Sequence, residues 1–482
     1  MTGRGSQLHD LTALEQAAAV RAREVSPTEL VDHALRRIDA RDAALGAFIT
    51  VTPERALAAA RDAEAAVLHG SDELPPLLGV PTAIKDLNNT AGVRTTFGSR
   101  VLADFVPTAD DHVVTALAAA GTISLGKTNT PEFGFPCYTD NDLVGPARCP
   151  WDPTRLAGGS SGGAAVAVAS GMVAFAQGSD GGGSIRIPAN INGLFGIKPT
   201  RGRVSNAPFG GDVTGLGTNG PLARTVRDAA AMLDAMAGPV AGDPAWAPPL
   251  PAGQTFLQQA ERPPGRLRIG RFVESAMPEV ALEPEVAAAF EDASRLLEGL
   301  GHDVEDVPPG LLGPDVLASF ERVWALSGAT LPVPPERVDD LRPLTQVLRA
   351  RGLALSAQDA MEAMLALRLF SRGFIRATAG YDVLLAPVCT MTPRPVGWFD
   401  AGGDGAADFE LQKQYAAFTA LFNVTGQPAV SVPLYWTADG LPVGTMLVGR
   451  PADEATLVAL SAQVEAARPW AHRHPPGWES RR

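Results

Sequence analysis

The chain has 482 residues, 45% hydrophobic and 19% charged, which makes it globular and able to bury a sizeable core. A formal charge of −13 and a pI near 5.1 exclude nucleic acid or an anionic membrane as its main partner. Three cysteines, Cys137, Cys149 and Cys389, form no CxxC pair, which excludes a disulfide framework or a zinc site.

Along the chain, Met1-Thr2-Gly3-Arg4-Gly5 leads into polar sequence without the apolar run of a secretory signal, so a reducing cytoplasm is the expected compartment. Ser26-Pro27-Thr28-Glu29 supplies an N-cap, a first-turn proline and a capping-box acid, with Leu30, Ala34, Leu35 and Ile38 following at helical spacing. An Ala-rich helix is predicted from about Pro53 to Leu68, then strand over Val80–Ile84, helix over Asp111–Ala120 and strand over Thr122–Leu125. Leu156 to Ser179 carries no charge, but its Gly, Ser and Ala content predicts a buried helix and strand, not a membrane span. Residues 238–264, rich in Pro, Ala and Gly, read as an exposed connection. Arg266–Val273 reads as strand, Glu283–Leu300 as amphipathic helix and 310–380 as helical. Tyr381–Pro387, Ala429–Pro433 and Thr445–Gly449 read as apolar strands, and Asp453 caps a last helix running to about Ala467. Strand–helix alternation of this kind suggests a mainly parallel sheet covered by helices.

Two features point to chemistry. Gly158-Gly159-Ser160-Ser161-Gly162-Gly163 and Gly178-Ser179-Asp180-Gly181-Gly182-Gly183-Ser184-Ile185-Arg186 set hydroxyls beside stripped backbone, where main-chain N–H groups can approach a developing negative charge. The chain also has 40 basic residues, of which only Lys85, Lys127, Lys198 and Lys413 are lysine. Arginine stays protonated, whereas burial can make a lysine a neutral base. Lys85 ends a short apolar strand, the position where α/β enzymes place working side chains. Lys413 has no such context and reads as a lysine that survives by chance.

Other serine chemistries fail on their companions. Gly158-Gly159-Ser160-Ser161-Gly162 satisfies G-x-S-x-G, but the later histidines, His302, His472 and His474, lie in no site-like context. Ser124-Leu125-Gly126-Lys127 matches S-x-x-K without the S-D-N and K-T-G partners. There is no phosphate-binding G-x-x-x-x-G-K-[ST], and no His/Asp set that would hold a metal.

What remains is a histidine-free serine hydrolase with a lysine base, and the residues resemble the amidase-signature family. Its Lys–Ser–Ser constellation maps onto Lys85, Ser160 and Ser184. Gly126–Gly134, Gly193–Gly202 and Thr425–Ala429 are also similar. The resemblance implies a single large α/β domain with a mixed twisted central sheet flanked by helices on both faces. Within it lie N-terminal helices over 10–70, a signature core over 75–235, a variable region over 240–380 and a return to the core sheet over 381–470.

It further implies hydrolysis of an aryl amide, a carbamate or a cyclic amide through an acyl-enzyme, without metal or organic cofactor. Ser184 is then the nucleophile, Ser160 (on a cis peptide) the proton relay and Lys85 the base. The backbone around Gly181, Gly182, Gly183 and Ser184 makes the oxyanion hole, and Ser161, Asp180 and Arg186 support the loop. Asp86 is a structural partner.

Many members carry a larger residue, such as threonine, where Gly181 stands, so the expectation here is a looser loop or room for a bulkier acyl group. The wording around Gly181–Pro188 and Phe418–Pro428 is more similar to aryl acylamidases, urethane-cleaving amidases and 6-aminohexanoate cyclic-dimer hydrolase. It is less similar to the A-type chain of the transamidating amidotransferase, which works in a tRNA-binding complex and stands as the alternative. The expected partner is a small neutral amide or carbamate, with a homodimer left open, and pocket walls are expected from 133–143 and 310–400.

Overall fold

The computed structural model describes residues 7–70, 73–209, 212–313 and 315–479. Its strands, in chain order, are β1 (Phe48–Val51), β2 (Pro81–Lys85), β3 (Ile123–Thr128), β4 (Phe175–Asp180), β5 (Phe195–Lys198), β6 (Thr218–Ala223), β7 (Arg268–Arg271), β8 (Asp303–Asp306), β9 (Val383–Pro387), β10 (Ala429–Trp436) and β11 (Pro442–Gly449). Eight of them form one sheet in the order β4-β6-β5-β10-β11-β9-β7-β8, and a three-stranded sheet has the order β1-β3-β2.

The larger sheet corrects the mainly parallel reading. Every junction from β4 through to β9 is antiparallel; only β9–β7 and β7–β8 are parallel. The sheet is mixed. Alternation misled because β6, Thr-Asn-Gly-Pro-Leu-Ala, carries a Gly-Pro step that reads as a strand breaker, yet it lies between β4 and β5.

Period-2 burial covers both faces of the sheet. Val430, Val432, Leu385 and Leu447 pack into one core, roofed by helices Val226–Met236 and Glu454–Ala467. Ala429, Leu384, Met446 and Val448 face a second core containing Ile187, Ile191, Phe374 and Phe422.

Local signals account for much of the helical structure. Ser26 and Glu29 close a capping box on helix Pro27–Leu45, and the Asp453 side chain accepts from Thr456 N–H ahead of helix Glu454–Ala467. The uncharged stretch folds as helix Gly162–Ala169, buried at every residue, and then β4. No helix among the described residues is long and apolar enough to cross a membrane. The 238–264 connection is less open than expected. It holds a short helix, Phe256–Gln259, whose first two N–H groups donate to Asp234 and whose Phe256 ring is buried under Arg203.

Two junctions position the site. At the first, the small sheet meets the large one side by side at β2 and β4. Thr82 Oγ1 donates to the Phe175 carbonyl at 3.2 Å, and Lys85 N–H donates to Gln177 Oε1 at 2.9 Å. At the second, helix Gly162–Ala169 lies so close to β3 that a Cβ on Gly163 would collide with Asn129 N and Ala47 O. Backbone cannot yield there as a flexible side chain would, so Gly163→Ala should destabilise the fold by about 2 kcal/mol. An unchanged thermal melt would contradict that seat.

Candidate active site

Lys85 ends β2 inside the protein and is fully buried. Its Nζ donates to Ser160 Oγ at 2.8 Å, to Ser179 Oγ at 3.0 Å and to the Ser179 carbonyl at 3.3 Å. All three acceptors are neutral. Burial therefore lowers the lysine pKa to about 7, against the opposing charge of Asp180. A substantial fraction of Lys85 is then a free amine at neutral pH.

Ser160 follows a cis peptide bond from Gly159, and Thr130 Oγ1 donates to its carbonyl at 3.0 Å. Its hydroxyl opens, with that of Ser184, into one cavity of about 1110 Å³. No hydrogen bond joins the Ser160 and Ser184 hydroxyls, so the structure forms the Lys85–Ser160 leg and leaves the Ser160–Ser184 leg open. Catalytic hydrogen bonds commonly tighten when substrate binds. Ser161 ties the two glycine clusters together: its Oγ donates to the Ser179 carbonyl and accepts from Ser179 N–H, and its N–H donates to the Ser184 carbonyl.

The loop carrying Ser184 is wound around one carboxylate. Asp180 accepts from Gly183 N–H at 2.8 Å, from Ile185 N–H at 3.1 Å and from Asn423 Nδ2 at 2.9 Å. Arg186 meets it through Nε and Nη2, each at 2.9 Å, with both side chains wholly buried. Burial works against the Asp180 charge, but the Arg186 guanidinium, with Lys198 and Asn423, outweighs it and holds the carboxyl below the usual range. Arg186 also donates to the Thr419 carbonyl at 2.8 Å and to Asn423 Oδ1 at 2.6 Å.

This geometry corrects one predicted donor. The Gly183 N–H is committed to Asp180 and cannot also serve an oxyanion. Gly183 contributes backbone instead: its φ is +133°, and a Cβ would collide with Thr419 Oγ1. The amides of Gly181, Gly182 and Ser184 have no internal acceptor among the described residues and are the donors left to face a substrate.

The other lysines separate on geometry. Lys127 is buried against Asp86, the Asn88 carbonyl and Thr95, and Lys198 against the Pro199 carbonyl. Burial lowers them to about 8 and about 7, but neither meets a serine hydroxyl. Asp86 is occupied by Thr96 and Lys127. Sequence reasoning missed Ser179, Gln177, Thr419 and Asn423. Ser179 stood in the second glycine cluster, and Thr419 and Asn423 in the 418–428 segment already singled out; Gln177 carried no local signal.

Pocket walls come from Phe133–Cys137 and, in the 310–400 region, from Leu312, Val316, Leu317, Phe320 and Trp324. Residues 409–424 add a wall that was not expected, whereas Tyr138 turns away to Asp408 and Phe399. The space over Gly181 is bounded by the Trp324 indole: a Cβ there would touch it at 3.5 Å, an ordinary contact.

With the geometry in place, the relatives fall into line. A family model described as Amidase matches residues 29–458. The chain belongs to the amidase family. It is 35% identical to a 6-aminohexanoate-cyclic-dimer hydrolase of Paenarthrobacter ureafaciens over 96% of each chain, and 34% identical to an acylamidase of Rhodococcus erythropolis over 97% of this chain and 98% of that one. A solved 6-aminohexanoate cyclic dimer hydrolase complexed with substrate superposes with a TM-score of 0.89 at 33% identity, covering 97% of this chain and 99% of the other. The A-type chain of a glutamyl-tRNA(Gln) amidotransferase from Thermotoga maritima is a more distant neighbour, with a TM-score of 0.74 at 28% identity over 96% of each chain. The enzyme is an amidase, a hydrolase of carbon–nitrogen bonds other than peptide bonds.

In this amidase the Lys85 site yields a sharp expectation. An arginine cannot become neutral near pH 7. Lys85→Arg and Lys85→Ala should each lower kcat by about three orders of magnitude or more while the far-UV circular dichroism stays native. Arginine retaining more than about a tenth of wild-type turnover, a loss under ~1.4 kcal/mol, would exclude the base role.

Proposed function

We propose that Ser184 attacks a small neutral amide or carbamate, with Ser160 passing the proton to Lys85. The Ser184 Oγ–carbonyl bond forms as the Ser184 proton moves to Ser160 Oγ and the Ser160 proton moves to Lys85 Nζ. The C–N bond then breaks while that proton returns through Ser160 to the leaving nitrogen, and water repeats the sequence on the acyl-enzyme. Gly181, Gly182 and Ser184 amides hold the oxyanion, a contribution of ~3 kcal/mol for each donor lost in other hydrolases. Asp180 and Arg186 hold the loop in shape and transfer no proton.

The observation carrying this reading is the amine of Lys85 on Ser160 Oγ, in a cavity wall that also presents Ser184. The same wall supports an orientation. The leaving nitrogen must collect its proton from Ser160, so the amine side of the substrate lies in the cavity that Ser160 lines. The acyl side then lies in the neighbouring cavity of about 890 Å³, lined by Ile187, Leu317, Phe320 and Leu421 and reached by Ser184 but not by Ser160.

Among the described residues lining the two cavities, the one cation is Lys413, and its charge is already paired with Glu321 and Glu410. Nothing there matches the carboxylate of free glutamine or asparagine. A cytoplasmic setting fits the buried, free state of Cys137, Cys149 and Cys389.

Ser184→Ala should abolish labelling by a serine-directed fluorophosphonate and reduce anilide turnover at least about 10⁴-fold, with the protein still folded. Labelling at Ser161 or Ser179 in place of Ser184 would overturn the assignment. In a substrate screen, anilides or carbamates with apolar acyl groups should be cleaved faster than glutamine; a glutamine preference would favour the amidotransferase reading.

A further inference from the structure

Two cavities meet at Ser184, and two aromatic side chains stand in the walls of both beside it. Trp324 lines the apolar acyl cavity and the cavity on the Ser160 side. Its indole lies over two glycines: a Cβ on Gly181 would touch its outer ring atoms at 3.5 Å, and one on Gly182 at 3.8 Å, both ordinary contacts, so any longer side chain there would compete with the ring for space. Phe135, the other aromatic ring in both walls, meets it edge-on at a centroid separation of 5.8 Å, and Phe320 stacks on its far side at 5.5 Å.

The partition is held from behind. Trp324 rides on helix Asp315–Ala329, which crosses helix Pro343–Ala354 at two glycines. A Cβ on Gly352 would collide with the Ala325 carbonyl, and one on Gly328 would sit 2.9 Å from Arg349 N. Backbone packed against backbone leaves this helix little room to swing, which fixes the point from which the indole projects.

We propose that Trp324, paired with Phe135, is a specificity-determining partition that selects open-chain amides over macrocyclic ones. The inference rests on Ser184 as the nucleophile. An open-chain amide sends its acyl arm to one side of the wall and its amine arm to the other, and the two arms touch only at the reacting carbon. In a macrocycle the same two arms are joined at their far ends, so the ring needs one undivided space around the nucleophile. The Phe135–Trp324 pair divides that space. Removing the indole merges the two cavities, because Gly181 and Gly182 add nothing in its place.

The test compares one open-chain substrate, N-hexanoyl-4-nitroaniline, with the cyclic dimer of 6-aminohexanoate, in the wild type, Trp324→Ala and Trp324→Phe. The wild type should favour the open chain in kcat/KM by at least about tenfold. Trp324→Ala should shrink that ratio by about tenfold or more, with Trp324→Phe in between, and fluorophosphonate should still label Ser184 in each. Equal wild-type rates on the two substrates would overturn the proposal. So would a Trp324→Ala variant that loses both activities in proportion, the result expected of a merely structural tryptophan. A failure of the nucleophile reading would show separately, as fluorophosphonate labelling away from Ser184 in the wild type, whatever the substrate ratio.

Discussion

The interaction on which the site depends is a lysine amine buried among neutral oxygens. Lys85 Nζ meets two serine hydroxyls and a carbonyl, and no carboxylate touches it. The opposing charge, Asp180, favours the protonated amine. Arg186 takes up that carboxylate through two hydrogen bonds, and the Gly183, Ile185 and Asn423 groups saturate it further. The Asp180–Arg186 pair therefore braces the loop before Ser184, while burial outweighs the pull of Asp180 on the Lys85 proton.

Around that arrangement the fold separates chemistry from selection. The groups proposed to react, with Ser179 beside them, sit on the seam between the two sheets: Lys85 on β2, Ser179 on β4, Ser160 just before helix Gly162–Ala169 and Ser184 just before helix Arg186–Asn192. Gln177 holds the seam by accepting the Lys85 N–H while donating to Asn88 and Asn219. Much of the cavity wall comes from elsewhere: beside 133–137 stand Leu312, Val316, Phe320 and Trp324 and the 409–424 segment. Such walls can change shape without disturbing the proton path, and Trp324 against Gly181 is one place where this chain has set its own.

The residues that meet around Lys85 were legible because their pattern is written locally. Glycine clusters carrying serines and a lysine at a strand end have few other uses, and capping boxes announce helices in a few residues. What escaped the sequence was of longer range. β6 was hidden by its Gly-Pro step, and with it went the antiparallel order of the large sheet. The Gly183 amide counted as an oxyanion donor until Asp180, three residues away, proved to hold it.

The rarity of lysine was informative for a broader reason than its catalytic reading. Lys85, Lys127 and Lys198 are all buried with lowered pKa, so retention of lysine marks burial; only contact with Ser160 singles out Lys85. The walls from 409–424 lie more than 200 residues from Ser184 in sequence, and no local pattern reports that proximity.

The claim that most needs testing is that Lys85 works as a neutral base with a pKa near 7. The rate at which a fluorophosphonate reacts with Ser184 isolates that step, since it needs the proton path but no amide leaving group. The neutral amine is the reactive form, so the rate should be low in acid, rise as Lys85 loses its proton and level off in mild base, with a midpoint at about 7. In Lys85→Ala the rate should be low, and that rise should be absent. A wild-type profile with its midpoint near the ordinary lysine value of about 10.4 would contradict the account, as would one that is flat across neutral pH.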